Sequence, residues 1–206
     1  MAHLLNAEET ARVAEHVAAA ERQTAGEIVV VLAERSASYE RQRGAASFTV
    51  TLLVAVALYR FAPRIHELWL LCGQAPLILL FWWLSAWRPL TRWIVPGRAQ
   101  REAVQARSKQ VFIEHGVTET RERSGVLLYL SEAERRVELL ADRGIHERVG
   151  AELWQALVDD VVGAIRGGQA AAGLTRAVDA IGARLAQHFP PSAADTNELP
   201  DEPRQL

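Results

Sequence analysis

Apolar residues change their spacing several times along the chain, and each change marks an element. From Asn6 to about Gln23 they recur at helical intervals, and Asn6 followed by Glu9 makes a capping-box start. The segment "EIVVVLAE", residues 27–34, is a β-branched run bounded by Gly26 and Ser36, which predicts a buried strand. One strand with one helix is not a stable domain, so its partners must come from further along.

They follow a long interruption. Residues 99–115 read as a helix ending near Gly116, and "GVLLYL" (125–130) and "RRVELLA" (135–141) read as two more strands. The connector "SEAE" is of hairpin length, which pairs these two antiparallel. Ile145, Val149, Leu153, Trp154, Leu157, Val158, Val161, Val162 and Ile165 then recur at helical spacing up to Gly167. A last helix carries Leu174, Val178, Ile181, Leu185 and Phe189 and stops at Pro190. The remainder, residues 191–206, is acidic and proline-bearing, and is expected to be a disordered tail.

The interruption is strongly apolar. "GAASFTVTLLVAVALYRFAP" carries only Arg60 as a charge, and "LWLLCGQAPLILLFWWLSAW" carries none. The second run, Leu68 to Trp87, would extend about 30 Å as a helix, the thickness of a bilayer's hydrocarbon core. Gln74 and Pro76 interrupt it, which a bilayer helix tolerates where neighbours satisfy the freed backbone groups. Trp69, Trp82, Trp83, Trp87 and Trp93 cluster there, several near the ends where aromatic residues sit at membrane interfaces. The expectation is a two-helix transmembrane hairpin over about 44–62 and 68–87. Arg35, Arg41 and Arg43 precede it, and Arg88, Arg92, Arg98, Arg101, Arg107 and Lys109 follow it, against Arg60 and Arg64 near the tip. The positive-inside rule then puts both ends in the cytoplasm, at a bacterial inner membrane.

Residues 1–43 and 88–190 would meet as one α/β domain of about three strands with helices on both faces, an α/β/α sandwich interrupted by the hairpin. A right-handed crossover makes the first two strands parallel. Composition adds exclusions. A net charge of −2 gives no electrostatic reason for a nucleic-acid partner. The single cysteine, Cys72, forbids an intrachain disulfide and reads as a small hydrophobe in the apolar region. The N-terminus lacks the basic start and apolar run of a signal peptide. The expected partners are the lipid bilayer and a membrane or membrane-associated protein.

The segments "ERQTAGEIVVVLAERSASY", "SGVLLYLSEAERRVELLADRGIHERVGAELWQALVDDVVGAIRGG" and "GLTRAVDAIGARLAQHFP" resemble the TPM domain family, including its phosphatase-like members. The resemblance covers about residues 6–43 and 99–190. It implies the small α/β/α sandwich, and it carries the acid-phosphatase activity and divalent-cation binding that have been attached to the family. Many family members are exported, with a signal peptide before the domain and an anchor after it, whereas here the apolar insertion follows the first strand.

No phosphate-binding loop, paired-histidine zinc pattern or nucleophile elbow is present. His3, His16, His66, His115, His146 and His188 are scattered and read as surface or helix-end residues. Asp159 and Asp160 read as a solvated helix face. Strand directions bring Glu27, Ser124 and Asp142 to one sheet edge, beside Arg143. Two carboxylates and a hydroxyl there could hold a hard cation such as calcium or magnesium, which would polarise a phosphoryl oxygen. Asp142 alternatively organises the following helix start. The opposite edge collects Ser36, Ser38, Ser131 and Glu132 at the carboxyl ends of the parallel strands, where open α/β sheets usually bind ligands.

Overall fold

The computed structural model describes residues 5–62, 66–118, 120, 123–146, 151–191, 199–200 and 202–206. The elements in chain order are α1 (Ala7–Glu21), β1 (Glu27–Ala33), α2 (Glu40–Phe61), α3 (Glu67–Cys72), α4 (Gln74–Leu84), α5 (Arg88–Ile94) and α6 (Gly97–Glu114). After them come β2 (Gly125–Ser131), β3 (Arg136–Ala141), α7 (Arg143–His146), α8 (Ala151–Arg166), α9 (Ala170–His188) and β4 (Arg204–Gln205). The expected helix from Ile145 falls on α7 and α8, and residues 147–150 lie outside the described residues. The chain separates into two compact units, 1–36 with 103–206, and 37–102.

The first unit is a mixed α/β fold on a four-stranded sheet of order β3-β2-β1-β4. β1 runs parallel to β2, with Glu27 opposite Gly125, and β3 returns antiparallel to β2. Alternation along the strands gives each face its own core. Ile28, Val30, Leu32, Val126 and Leu128 pack with Val13 and Val17 of α1, Trp154 of α8 and Leu174 and Ile181 of α9. Val29, Val31, Leu127 and Tyr129 face the other way, onto Val104 and Val111 of α6 and Val117. Both faces are covered, so β1 and β2 are buried along their whole length. α1 begins at the anticipated capping box: Asn6 Oδ1 accepts from the Glu9 N–H and the Asn6 N–H donates to the Glu9 carboxylate, each at 2.8 Å. α1 and α9 pack so closely that a Cβ on Gly182 would lie 2.6 Å from Ala20 Cβ.

The sheet corrects two expectations. It has four strands rather than three, and the fourth comes from the segment expected to be a disordered tail. Val31 pairs with Arg204 and Leu32 with Gln205. The Glu34 N–H donates to Leu206 O at 2.8 Å, and the Leu206 N–H donates to Leu32 O at 2.9 Å. An open backbone edge on β1 accepts any extended segment, whatever its side chains, which outweighs the polar composition. Residues 192–198 and 201 of that tail lie outside the described residues.

The second unit packs polar side chains inward and apolar ones outward. Along α2 the buried residues are Arg43, Ser47 and Thr51, one per turn. Ser47 Oγ donates to Arg43 O and Thr51 Oγ1 to Ser47 O, both at 2.8 Å. Arg43 Nε donates to Ser85 Oγ at 3.1 Å and Nη2 to Trp82 O at 3.0 Å, with the guanidinium 5.0 Å from the Trp82 ring centre. Outward-facing are Leu53 (63 % exposed), Phe61 (83 %) and Trp69 (75 %). Cys72, read as a small hydrophobe of the apolar region, is exposed as well.

One helix, Glu40–Phe61, is long and apolar enough to cross a membrane. The expected second span over 68–87 is not a single helix: Gly73 divides it into α3 and α4, and α4 ends at Leu84. Pro76 explains the break, because it has no N–H for the Cys72 carbonyl four residues earlier and its ring crowds that carbonyl. Leu68–Leu84 would reach only about 25 Å as one helix, short of the bilayer core. Arg43, expected to flank the first span, instead lies within the helix and its packing.

Candidate functional site

The strands' starting edge carries the first candidate set. The row Glu27–Gly125–Asp142 runs across three strands, since the Asp142 N–H donates to Gly125 O at 2.9 Å. By strand alternation Glu27 and Asp142 belong to the face covered by α6. Both are buried, at 6 % exposure. Space between them is filled: a Cβ on Gly125 would lie 2.4 Å from the Val117 carbonyl oxygen. Ser124 is fully buried and its Oγ donates to Ala25 O at 3.0 Å, which ties β2's start to the strap before β1. Asp142 Oδ1 accepts from the Arg143 N–H at 2.6 Å, and its backbone carbonyl accepts from Ile145, so it shapes the entry to α7. Asp142 Oδ2 is buried with no hydrogen-bond partner. No group of three or more His, Cys, Asp or Glu able to hold a metal occurs among the described residues. Two carboxylates separated by a filled backbone position do not make the oxygen cage a hard cation needs.

At the carboxyl ends of β1 and β2 the structure brings together more than the sequence predicts. Ser36 Oγ donates to Ser131 Oγ at 3.0 Å, Ser131 Oγ donates to Glu134 Oε2, and Tyr129 Oη is 3.0 Å from Ser36 Oγ. With the serine protons so directed, Tyr129 is the donor to Ser36. The Glu134 carboxylate also takes the Ser36 N–H, at 3.3 Å. Burial pushes the Tyr129 phenol above its ordinary value, so it stays a neutral donor. All three hydroxyl protons therefore run toward one buried carboxylate. Such a chain fixes the strand ends. It offers no free base to activate Ser36, the half-buried member.

Glu134 and Tyr129 were missed by sequence reasoning. The available signal was Ser131 followed three residues later by Glu134 in a hairpin turn. Ser38 belongs to the other unit, and Glu132 donates its N–H to Ala33 O at 2.9 Å, extending the sheet. Among the histidines, His16 Nδ1 lies 2.7 Å from Asp179 Oδ1 on the surface and His66 caps α3. His115 Nδ1 contacts Arg204 Nη1. Burial, and then Arg204, hold His115 below its ordinary value. His3 and the His146 side chain lie outside the described residues. Asp160 pairs with Arg176 at 3.1 Å, and Asp159 lines a groove of about 410 Å³ beside β3.

Residues 93–184, from the end of α5 into α9, match the TPM domain. The chain carries a TPM domain. Its fold also resembles the NMR structure of the BA42 protein from the psychrophilic bacterium Bizionia argentinensis. That likeness has a TM-score of 0.62 at 20 % identity, and covers 98 % of this chain and 95 % of the other. At that identity it speaks to the fold alone. No curated protein matches the sequence.

Proposed function

We propose that this is a membrane-tethered TPM-domain protein, with residues 37–102 held in a bilayer and the α/β/α unit serving beside it as a binding module for a membrane or membrane-associated protein. The inverted packing of α2 carries the reading. In water, burying Arg43, Ser47 and Thr51 while exposing Leu53 and Phe61 wastes apolar surface; in lipid it satisfies every group.

Sheet pairing adds a count of crossings. β1 and β2 are hydrogen-bonded neighbours, so the chain between residues 34 and 124 crosses a membrane an even number of times. If α2 crosses once, α3 and α4 bring the chain back, their shorter reach met by local thinning of the bilayer and by Trp83 and Trp87 at the interface. Arg35 before α2 and Arg41 in its first turn, with Arg98, Arg101, Arg107 and Lys109 after α5, favour the cytoplasmic side of an inner membrane for the TPM domain.

Alkaline carbonate extraction and a reporter enzyme fused after residue 206 test this. Expected are retention in the membrane fraction and a reporter active only in the cytoplasm. Release by carbonate, or an outward reporter, would refute the tether or its orientation respectively. A cation-dependent phosphatase rests on the family's label alone, and Glu27 with Asp142 adds no ligand set to it.

A further inference from the structure

We infer that the outer edge of β3 is the seam of a homodimer, two copies of this chain joining edge to edge about a two-fold axis at Val137. Among the described residues no strand covers that edge, since β3 ends the sheet. The direction of its backbone groups follows from one bond. The Asp142 N–H donates to Gly125 O, so residues 142, 140, 138 and 136 point into the sheet and Val137 and Leu139 point their N–H and C=O outward. A row of outward donors and acceptors is a template for a further strand.

The groove of about 410 Å³ runs along this edge, with residues 135–139 on one wall and α8 on another. It is therefore centred on Val137, the residue whose outward groups would meet their own copies on the axis. In that register Arg136 stands opposite the partner's Glu138, on the same face, and the pair is repeated by symmetry. Charge selects a second copy over other occupants. The groove's Arg135 and Arg136 are balanced by Glu138 and Asp159, so a strand of one sign would meet as many like charges as opposite ones. A copy of β3 presents Glu138 to Arg136 and Arg136 to Glu138, with Val137 meeting its own copy on the axis. Burial already raises Glu138 above the ordinary carboxyl value, with Arg136 of its own chain opposing, so a second guanidinium beside it is favourable. The two-fold keeps sheet faces matched, and brings Val158 and Val162 of α8 toward their counterparts.

The test is sedimentation equilibrium of the full chain in mild detergent over a range of protein concentrations. Expected is a dimer of the 22.8 kDa chain. Arg136→Glu and Glu138→Arg should each weaken it by about tenfold or more, because each reversal sets two like-charge pairs across the seam. The double variant Arg136→Glu/Glu138→Arg should restore it. Hydrogen exchange gives a check without substitutions: the Val137 and Leu139 amides should be protected in the dimer and exposed on dilution. A wild type that stays monomeric, a dimer that neither reversal weakens, a loss the double variant does not recover, or outer amides that ignore dilution would each overturn the seam. A wild type that stays monomeric with exposed outer amides would point instead to a strand from a different protein in the groove.

Discussion

Replacing Gly182 by Ala tests how the helical layer is set on the sheet. The new Cβ would lie 2.6 Å from Ala20 Cβ and 3.3 Å from Ala20 Cα, with no flexible side chain to yield. Carbon atoms pack at about 3.5–4.0 Å, so α1 and α9 must part by about 1 Å, and such a gap forfeits a quarter to a half of each contact's attraction. Overpacking of this kind costs about 1–3 kcal/mol. Better helix propensity returns about 1 kcal/mol. A rigid contact at 2.6 Å takes the upper part of the overpacking range, about 2–3 kcal/mol, so the net loss should be about 1–2 kcal/mol, or roughly 2–8 °C in Tm for a domain of this size. Urea unfolding of the full chain, followed by pulsed hydrogen exchange at the β1 and β2 amides, reports this unit separately from the insertion. Adding Ala20→Gly removes the clash, so the double variant should be at least as stable as Ala20→Gly alone. A Gly182→Ala chain within about 0.5 kcal/mol of wild type, or a double variant showing the sum of both losses, would refute the close-approach argument.

Three further outcomes follow from features outside that interface. Arg43→Ala removes two hydrogen bonds and the stacking on Trp82, and should lower the stability of the α2–α4 pair by roughly 1–2 kcal/mol in an SDS-unfolding titration, with Arg43→Lys in between. Arg135 has φ 51° in the hairpin turn, a conformation that glycine adopts freely, so Arg135→Gly should raise the urea midpoint by about 0.5–1 kcal/mol in free energy. His115 has a lowered native value, so below the ordinary 6.5 the unfolded chain takes a proton that the native state refuses, and stability falls with acidification until the native value is passed. Exchange at the Glu34 and Leu206 amides, corrected for its intrinsic pH dependence, should therefore accelerate between pH 7 and 5, and His115→Gln should flatten that response.

Legibility in the sequence tracked how much of each element is decided by local apolar pattern. β1, β2 and β3 are β-branched or leucine-rich runs bounded by turn residues, and their parallel and antiparallel directions followed from the lengths of their connections. β4 is Arg204 and Gln205, held by backbone bonds to β1, and nothing in those side chains announces a strand. The break at Gly73 was illegible for a different reason. Average hydrophobicity does not register that Pro76 withholds one hydrogen bond at a given turn. Ser36 and Ser131 were placed together by topology. Glu134 joined them because the left-handed Arg135 turns the hairpin back, a backbone effect no periodicity carries.

The order in which β1 acquires its neighbours has a bearing on biosynthesis. β1 leaves the ribosome early, its partner on one side follows nearly a hundred residues later, and its partner on the other side later still. Between them the apolar helices emerge and must find their surroundings while the sheet does not yet exist. Contacts this distant in sequence close slowly. A central strand of seven buried residues therefore waits with both edges open, and a chain stalled in the insertion would leave a sticky, half-made sheet rather than a smaller folded one.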